Sequence, residues 1–465
     1  MATKISTDNP LSKITIFLII ISVIWVKLNV KPWAKGKIID WDIVDYYDYL
    51  PALFIENDWT LSFVKKNEEY YYNNHIYWPQ KTSEGNYVIK MSMGLSYLYL
   101  PFFWIGHLEA KIKGLPTDGF SQPYHKWIYL SAVFYFFIGL WFLRLFLLRW
   151  FRDKVVAIAI ILLVLATNLF YYATHESAMS HVYTFSLFSV LIYLWDRWFA
   201  YNKLLTGMFI GFISGLIVLI RPINIIPVVA FPLFYNLCEL KQIKERVVYL
   251  LTKYQQIILM VFFAILPWIP QFYYWYLNTG QWVYYSYGDE KFFFLKPQII
   301  NGLWSYRKGW LLYNPVMYLT ILGIPVLWKY RRSLFWSYVI IFPLYIYVVF
   351  SWWCWWYGGS YGGRAMIDIY PVLIFALAAI IDRIFNLERS LRFFKYISMI
   401  PAFMLIYWNI LQIVQYRHTF LHYDSMTKEA YWKLFGKPAL SDTAYWSLLS
   451  PPDYEKAKRG ESEYP

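Results

Sequence analysis

Three carboxylates recur at three-residue intervals in one tyrosine-rich stretch, WDIVDYYDYLPALF, at residues 41 to 54. On a helix, Asp42, Asp45 and Asp48 would point to neighbouring faces. Tyrosine is typical of the membrane–water interface, so we interpret Asp42 and Asp48 as the solvated polar face of a surface helix. Asp45 is the better candidate for chemistry, because a carboxylate beside an apolar boundary acquires a raised pKa and can serve as a general base.

Two arginines stand beside long apolar runs. Arg221 directly follows GLIVLI, and a charge in such a position indicates either binding of a lipid phosphate or sugar, or snorkelling to the interface. Arg364 ends the motif YGGSYGGR, in which Gly362 and Gly363 would let backbone amides approach an anion. A guanidinium matches a phosphate with two parallel hydrogen bonds, although Asp368, four residues on, could pair with Arg364 instead.

The stretch HESAMSH supplies His175, Glu176 and His181. A zinc protease needs two histidines four residues apart on one helical face, and these are six apart, so no zinc site is predicted. These polar residues are equally consistent with a solvated helix end and with a contact to the sugar or the acceptor. The tryptophans of SWWCWWY are typical of an interfacial belt, with a groove wall or sugar platform as the alternative. The candidate sugar- or acceptor-binding residues are His181, Glu176, Tyr49, Trp356 and Tyr361.

Two further groups of charged residues have weaker claims. Asp40 and Asp42 form an Asp-x-Asp pair that could hold a divalent cation, but oxygen-ligand sites need more ligands than two. We therefore expect no required cofactor and do not favour a metal. Arg307 and Lys308 lie in the loop 277–312, where mixed charge is typical of solvated surface. A loop of that length is often functional, so both could help to hold an anionic donor.

The composition indicates which elements must position these residues. Of the 465 residues, 59% are hydrophobic and 23% aromatic, far more than in a soluble domain. Runs such as VVAIAIILLVLATNLF are long enough, with their flanks, to cross about 30 Å of hydrocarbon as helices. The net charge of +14 fits basic cytoplasmic loops, so no nucleic-acid partner is inferred. The two cysteines, Cys238 and Cys354, predict no disulfide framework.

The basic clusters predict an all-α polytopic membrane protein in which every cluster faces the cytoplasm. This holds if the segment 92–108, which contains Gly94, Pro101 and Gly106, is re-entrant or surface-lying. A transmembrane domain then covers 1–414, with a first external loop at 31–124 and an external tail at 415–465. The eleven predicted spanning helices lie near 14–30, 125–148, 155–173, 182–199, 205–220, 222–238, 255–276, 313–328, 334–351, 367–382 and 396–414.

This order of features resembles the C-type (GT-C) glycosyltransferase superfamily, whose members include protein O-mannosyltransferases and the aminoarabinose transferase of lipid A. Those enzymes carry an acidic residue in the first external loop, and some continue with a tyrosine and an Asp-Trp pair. Asp45, Tyr49 and Asp58-Trp59 are similar to that pattern, although Tyr46 stands where the family has a second acid. This difference leaves Asp48 as an alternative base. The resemblance also implies that Arg364 is the basic residue that holds the lipid phosphate.

The resemblance implies a glycosyltransferase of the cell envelope that uses a polyprenyl-phosphate sugar, with Asp45 as base and inversion at the sugar. Its partners would be the lipid-linked sugar, membrane lipids and a glycan, lipid or protein acceptor. The location would be a bacterial inner membrane, with the site on the external or periplasmic face. The alternatives are a flippase or exporter of lipid-linked sugars, which needs no base, and an O-antigen polymerase or ligase that uses a polyprenyl diphosphate.

Overall fold

The computed structural model describes residues 10–73, 76–82, 84–387, 393–440 and 443–462. It is 70% helical, and the all-α prediction is confirmed. The α-helices of the described ranges are α1 (Leu11–Val30), α2 (Asp42–Tyr47), α3 (Tyr49–Phe54), α4 (Ser62–Lys66), α5 (Glu68–Asn73), α6 (Gly94–Ile112), α7 (Gln122–Leu147), α8 (Asp153–Leu165), α9 (Leu169–Thr174), α10 (Ser180–Tyr201), α11 (Leu204–Ile220), α12 (Ile225–Phe234), α13 (Ile243–Thr252), α14 (Tyr254–Ile265), α15 (Ile269–Thr279), α16 (Ile299–Trp304), α17 (Trp310–Tyr313), α18 (Tyr318–Leu322), α19 (Ile324–Tyr330), α20 (Arg332–Val349), α21 (Tyr370–Phe385), α22 (Phe393–Ile397), α23 (Met399–Arg417), α24 (Lys428–Leu434) and α25 (Tyr454–Lys458).

Short elements connect these helices. One two-stranded antiparallel sheet pairs β1 (Gln80–Lys81) with β2 (Tyr87–Val88) in the first loop. The 3-10 helices are Pro32–Lys35, Pro222–Asn224, Leu240–Gln242, Leu266–Trp268, Pro315–Met317, Arg364–Ile369 and Thr443–Leu448. Proline lies in the first turn of several of them, where its missing amide costs no hydrogen bond.

Six helical segments of the described chain are long and apolar enough to cross a membrane, as expected of an integral membrane protein. They are Leu11–Lys35, Gln122–Leu147, Tyr254–Thr279, Arg332–Val349, Arg364–Phe385 and Met399–Arg417. Each corresponds to one of the eleven spans predicted from the sequence. The other five predictions are not confirmed as spans. Two of those apolar helices are shorter, Leu204–Ile220 and Pro222–Phe234.

The remaining three predicted spans differ in their continuity. The run at 155–173 divides into α8 and α9, and the run at 313–328 divides into several short helices that include α18 and α19. Helix α10 has 22 residues but includes polar groups such as His181 and Asp196, which are buried against neighbouring helices. Apolar composition therefore marked the buried segments correctly, while local breaks decide which of them are single helices.

Helix α6 contains the segment that was expected not to span. It is continuous, includes Pro101 and is not among the six candidate spans. It runs antiparallel to the first half of α7, because Leu98 accepts from Tyr135 while Glu109 pairs with Lys126. Its outer face exposes Trp104, Leu108 and other apolar side chains. The expectation that this segment is re-entrant or surface-lying stays a prediction, because the packing on α7 does not fix its position relative to the membrane.

One end of the bundle is held by arginine–aspartate pairs. Arg149 pairs with Asp196 of α10, and Arg331 pairs with Asp382 of α21 at 2.9 Å. We call this end, where residues 144–154 and 329–332 connect the helices, the basic end. Such partly exposed pairs at helix ends hold neighbouring helices in register.

The same two helices begin at the opposite end of the bundle. His181 lies in the first turn of α10 and Asp368 lies just before α21, and both side chains contact Arg221. We call the end that contains these three residues the site end. It gathers side chains from the loop at 31–124 and from the loop at 351–363.

Candidate functional site

An ion pair joins the two distant stretches that the sequence singled out. Arg364 Nη2 lies 2.9 Å from Asp42 Oδ2, although 322 residues separate them. Asp42 is the first residue of α2, and Arg364 opens the 3-10 helix Arg364–Ile369. The Arg364 side chain is 12% exposed and that of Asp42 is 38% exposed. The pair is therefore open to solvent on the carboxylate side.

The glycines before Arg364 serve a tight approach of the loop to α17. Gly362 and Gly363 have φ values of +59° and +67°, which side chains rarely adopt. A Cβ on Gly363 would lie 2.9 Å from Trp310 Cβ, and one on Gly362 would lie 3.1 Å from Tyr313 Cβ. The protein's own helix therefore fills the space on the Cβ side of these glycines, while the approach of an anion to their amides stays a prediction.

Arg221 lies inside a buried polar network instead of snorkelling to the surface. Its Nη1 lies 3.0 Å from Asp368 Oδ2 and 3.0 Å from His181 Nδ1. Asn224 donates to the same carboxylate at 3.1 Å, and the Tyr345 hydroxyl donates to Asn224 at 3.1 Å. The alternative that Asp368 pairs with Arg364 is not realised, because Asp368 pairs with Arg221. A buried charge needs this degree of compensation.

Asp45 lies behind Asp42, next to a second ion pair. Lys90 contacts Glu290 at 2.5 Å, and both charges act on Asp45. The carboxyl is buried, and its Oδ1 accepts no hydrogen bond from the described residues. Burial, reinforced by Asp42, raises the pKa of Asp45 well above its usual range, and Lys90 only partly opposes this effect. The expectation of a carboxyl with a raised pKa at this position is therefore met.

Glu176 and Lys308 are electrostatically coupled to Arg364. Glu176 accepts a hydrogen bond of 2.8 Å from Tyr171 and senses the charges of Arg364 and Lys308. Burial raises the pKa of Glu176, against the effect of these two cations. Lys308 donates to the carbonyl of Ser360, and burial lowers its pKa to about 7. Lys308 is thus not the solvated loop residue that the sequence indicated.

These residues form one electrostatically connected group, which we call the charged cluster. Its members are Asp42, Asp45, Lys90, Glu176, Arg221, Glu290, Lys308, Arg364 and Asp368. Cations from the loop at 31–124, from the segment between α11 and α12 and from the two late loops converge here. Such an array can stabilise an anion that develops in a reaction, while a carboxylate at its edge can accept a proton.

No family model matches the chain, and no curated protein matches it.

The predicted sugar-binding aromatics lie in the protein interior. The Tyr49 hydroxyl donates to the carbonyl of Met91 at 2.7 Å. Tyr361 donates to Asn409 at 3.0 Å, and the Trp356 ring packs 5.4 Å from that of Tyr454. All three rings are buried. We correct their assignment, because a ring without an exposed face cannot stack on a sugar; the interfacial-belt interpretation fails for Trp356 for the same reason.

Asp48 and Arg307 also differ from expectation. Asp48 is 0% exposed, so its interpretation as part of a solvated face is wrong. Burial and the neighbouring Asp45 raise the pKa of Asp48 well above its usual range. Arg307 is buried and donates to the carbonyls of Asp424 and Ser450. It therefore fastens the C-terminal segment and is committed to backbone partners.

The Asp-x-Asp pair divides between two uses. Asp40 Oδ1 accepts from the amide of Trp41 at 2.9 Å, while Asp42 pairs with Arg364. Across the described residues, no group of three or more His, Cys, Asp or Glu side chains is arranged to hold a metal ion. Asp58, of the Asp-Trp pair, accepts locally from Thr60 and Ser62.

Several members of the charged cluster escaped the sequence argument. Asp42 was assigned to a solvated face, since only the fold brings it to Arg364. Lys90 and Glu290 lie in two different loops, and their pairing at 2.5 Å is visible only in three dimensions. One signal was present for Lys90, which is a lone charge between the apolar residues of NYVIK and the start of α6. A charge at such a boundary is a functional candidate.

Proposed function

We propose that this chain is a membrane glycosyltransferase that moves a sugar from a polyprenyl-phosphate donor to an acceptor hydroxyl or amine. The observation that carries the proposal is the ion pair between Asp42 and Arg364, 2.9 Å long and open on one side. It combines a potential proton acceptor with a potential phosphate ligand at one end of an apolar helix bundle. A lipid-linked substrate needs this combination at the membrane surface.

The donor phosphate would bind to Arg364. Arg364 uses one Nη in its contact with Asp42, and a guanidinium carries five donors in a planar fork that suits phosphate oxygens. Arg221 is engaged by Asp368 and His181, so its contribution is the fixed positive field behind the phosphate. Lys308, whose charge acts within the same cluster, would add to that field.

Asp42 is the better candidate for the general base, in place of the Asp45 that the sequence favoured. A base must reach the acceptor, and Asp42 is partly exposed whereas Asp45 is buried. Burial raises the pKa of Asp45 above that of an ordinary aspartate, so at a given pH a smaller share of its carboxyl is ionised and able to accept a proton.

The proposed step is a direct displacement. The acceptor oxygen or nitrogen forms a bond to the anomeric carbon, and the bond from that carbon to the phosphate oxygen breaks. The acceptor proton passes to the Asp42 carboxylate, and the bonding electrons leave with the polyprenyl phosphate. Cations fixed around the phosphate stabilise the charge that builds there. Attack from the face opposite the phosphate inverts the anomeric centre.

The same proposal assigns the site end to the external or periplasmic face of a bacterial inner membrane. Lys and Arg concentrate in cytoplasmic loops, and the loops at 144–154 and 329–332 belong to the basic end, away from the charged cluster. The acceptor and the sugar would then meet outside the cytoplasm, where no nucleotide sugar is available.

Transfer in detergent provides the test. The purified protein is supplied with tritiated sugars linked to undecaprenyl phosphate and with cell-envelope acceptors, and the label in product is counted. Detergent abolishes the second compartment, so a flippase would give no product. Asp42→Asn should reduce turnover by about 10²–10⁴-fold, the usual contribution of a positioned base. Arg364→Lys should raise the KM for the donor, because the planar fork is lost.

Asp58→Asn is the matched control, since Asp58 lies in the same loop and its carboxylate, among the described residues, accepts hydrogen bonds from Thr60 and Ser62. It should retain turnover. If Asp45→Asn abolishes transfer while Asp42→Asn preserves it, the base is Asp45. If the wild-type protein transfers sugar from none of the tritiated undecaprenyl-phosphate donors, the glycosyltransferase proposal is abandoned. Competition by undecaprenyl diphosphate sugars would identify the carrier.

A further inference from the structure

An open groove lies beside the charged cluster, between the loop after α15 and the C-terminal segment. Its volume is about 700 Å³, within the range of pockets that hold small organic ligands. One wall is formed by residues 285–294, and the other by residues 455–459 of α25 and its C-terminal end. Nothing in the proposed chemistry so far uses this space.

Hydrogen bonds and close packing hold the two walls of the groove in place. The amide of Phe293 donates to the carbonyl of Ser351, and the amide of Trp353 donates to Lys291 at 3.1 Å. On the opposite wall, Tyr454 at the start of α25 donates to Asp424 at 3.0 Å. Gly460 packs so closely on Phe293 that a Cβ there would lie 2.5 Å from its ring. The groove is therefore a formed feature of the fold.

The charges along the groove are balanced. It is lined by three acids, Asp289, Glu290 and Glu455, and by three bases, Lys291, Lys458 and Arg459. A site for a polyanion would instead show an excess of cations. Balanced carboxylates and cations offer both acceptors and donors of hydrogen bonds, and these suit a neutral ligand that carries many hydroxyl groups.

Exposed aromatic rings give the groove an apolar surface beside its charged groups. Tyr285 and Phe294 are exposed on its wall, and Phe294 stacks with Phe292 at a centroid distance of 5.3 Å. Rigid aromatic faces bury large contact area at low entropic cost. They match the C–H faces of sugar rings, while the charged groups match the hydroxyls. The buried Trp356 and Tyr361 offer no such face.

The groove leads to the charged cluster through Glu290. The Glu290 side chain contributes to the groove lining and contacts Lys90 at 2.5 Å, beside Asp45. The Tyr287 ring lies 5.5 Å from the Lys90 ammonium, and the charge of Asp42 acts on it. Glu290 therefore marks the end of the groove that is nearest to the charged cluster.

We propose that this groove binds a neutral oligosaccharide, and that this glycan is the part of the acceptor that the enzyme recognises. The identification as acceptor depends on the proposed glycosyl transfer, whereas binding of the glycan does not. The terminal sugar would present a hydroxyl towards Asp42 while the preceding sugars lie along Tyr285 and Phe294.

Binding is measured on the full-length protein in lipid nanodiscs, because maltoside detergents would compete for a sugar site. Maltohexaose, cellohexaose, mannohexaose and chitohexaose are tested by saturation-transfer NMR, with hyaluronan hexasaccharide as the anionic comparator. At least one neutral hexasaccharide should bind, and Phe294→Ala or Tyr285→Ala should weaken it by about tenfold, as for the loss of one aromatic anchor. Trp282→Ala is the control, since Trp282 is an exposed ring of the same loop that stacks on Tyr276 outside the groove.

The outcomes separate the two proposals. Asp42→Asn should bind the hexasaccharide normally even though it cannot transfer sugar, so a loss of transfer alone leaves the groove assignment intact. Absence of binding across the neutral panel overturns the groove proposal, as does a preference for hyaluronan or an equal loss in Trp282→Ala. A lipid-linked form of the same glycan is also added to the nanodisc. Tighter binding of this form would indicate that the acceptor glycan comes from the membrane, and equal binding would indicate that it comes from solution.

Discussion

Three aspartates on adjacent helical turns of one segment have three different environments. Asp42 is paired with Arg364 and partly exposed, Asp45 is buried next to the Lys90 pair, and Asp48 is fully buried. The bundle covers the α2–α3 segment more deeply with each turn, which is why exposure falls along the series. Only the first carboxylate keeps both a charged partner and a path to solvent, and this difference decides its role in the proposed chemistry.

The buried Asp45 carboxyl should make stability depend on pH. Its pKa in the folded protein is raised by burial and by Asp42, whereas the unfolded chain ionises near 4. The folded protein therefore holds the extra proton, and stability falls as pH rises from about 4 through the folded pKa, at most by about 1.4 kcal/mol per pH unit. The side chain of Asp45→Asn cannot ionise, so the variant lacks this loss of stability. The difference between its thermal midpoint and that of the wild type should therefore increase from pH 5 to pH 9.

The control for this pH dependence is a carboxylate whose pKa is not raised by folding. Hydrogen bonds from Thr60 and Ser62 keep the pKa of Asp58 below its usual value, so Asp58 is ionised in both folded and unfolded chains over this pH range. Asp58→Asn should therefore shift the midpoint by the same amount at pH 5 and pH 9. Parallel curves for the wild type and Asp45→Asn would show that Asp45 is ionised in the folded protein, contrary to its environment.

At the residue scale, the sequence could identify the arginines but not their partners. Arg221 and Arg364 stood out because each is a charge beside an apolar run. The partner of Arg364 lies 322 residues away, and no local pattern encodes a contact of that length. Asp42 was therefore assigned to a solvated face, and for Asp368 the sequence offered only the nearby Arg364 as an alternative partner, whereas the structure pairs it with Arg221.

At the scale of elements, the loop 351–363 shows how a tight connection positions a functional side chain. Two left-handed glycines let the chain turn directly beside α17, so that Arg364 emerges towards α2. Asn168 and Asn314 donate to the carbonyl of Gly362 at 2.7 and 3.0 Å and hold that turn. The position of the guanidinium thus depends on glycine packing as much as on its own contacts.

A matched pair of substitutions in this loop tests that dependence. Gly358 and Gly363 have similar φ values, +60° and +67°, but a Cβ on Gly358 meets nothing within 4 Å while one on Gly363 lies 2.9 Å from Trp310. Gly358→Ala should lower the free energy of unfolding by about 1–2 kcal/mol, the cost of placing alanine in the left-handed conformation. Gly363→Ala should lower it by about 1–3 kcal/mol more, because its Cβ also overpacks against Trp310. Thermal unfolding of the two variants measures the difference.

Equal losses in the two alanine variants would contradict this packing role. A second readout is the KM for the lipid-linked donor, which should rise in Gly363→Ala because Arg364 shifts with Trp310. Gly358→Ala, with open space around its Cβ, should keep the wild-type KM.

The elements themselves were predictable to different degrees. Long uninterrupted runs such as those in α1, α7 and α20 gave the six apolar helices, because hydrocarbon-length runs need no tertiary information. The breaks between α8 and α9 or between α18 and α19 depend on local turns that hydropathy averages away. The aromatic stretch at 352–357 was assigned to an interfacial belt, yet Trp355 and Trp356 are buried, since aromatic residues fill a protein core equally well.

At the scale of the whole molecule, the two ends of the bundle differ in kind. At the basic end, Asp196 pairs with Arg149, and Asp382 pairs with both Arg152 and Arg331, whereas the site end collects the charged cluster and the groove. A bundle that spans the bilayer must present these ends to different compartments. Positive residues select the cytoplasmic side, so the charged cluster is expected outside.

The two cysteines provide a direct test of that orientation. Cys238 is exposed at the basic end, where its Sγ lies 3.8 Å from Ser333 Oγ, and Cys354 is buried near the site end. A membrane-impermeant maleimide should therefore label the wild-type protein in inverted vesicles and leave it unlabelled in intact cells. In a Cys238→Ser background, Leu295→Cys should show the reverse, because Leu295 is 98% exposed on the loop that borders the groove. Labelling of both positions from one side would mean that the bundle does not separate the two ends, and the lipid-linked donor would then have no membrane face at which to meet Arg364.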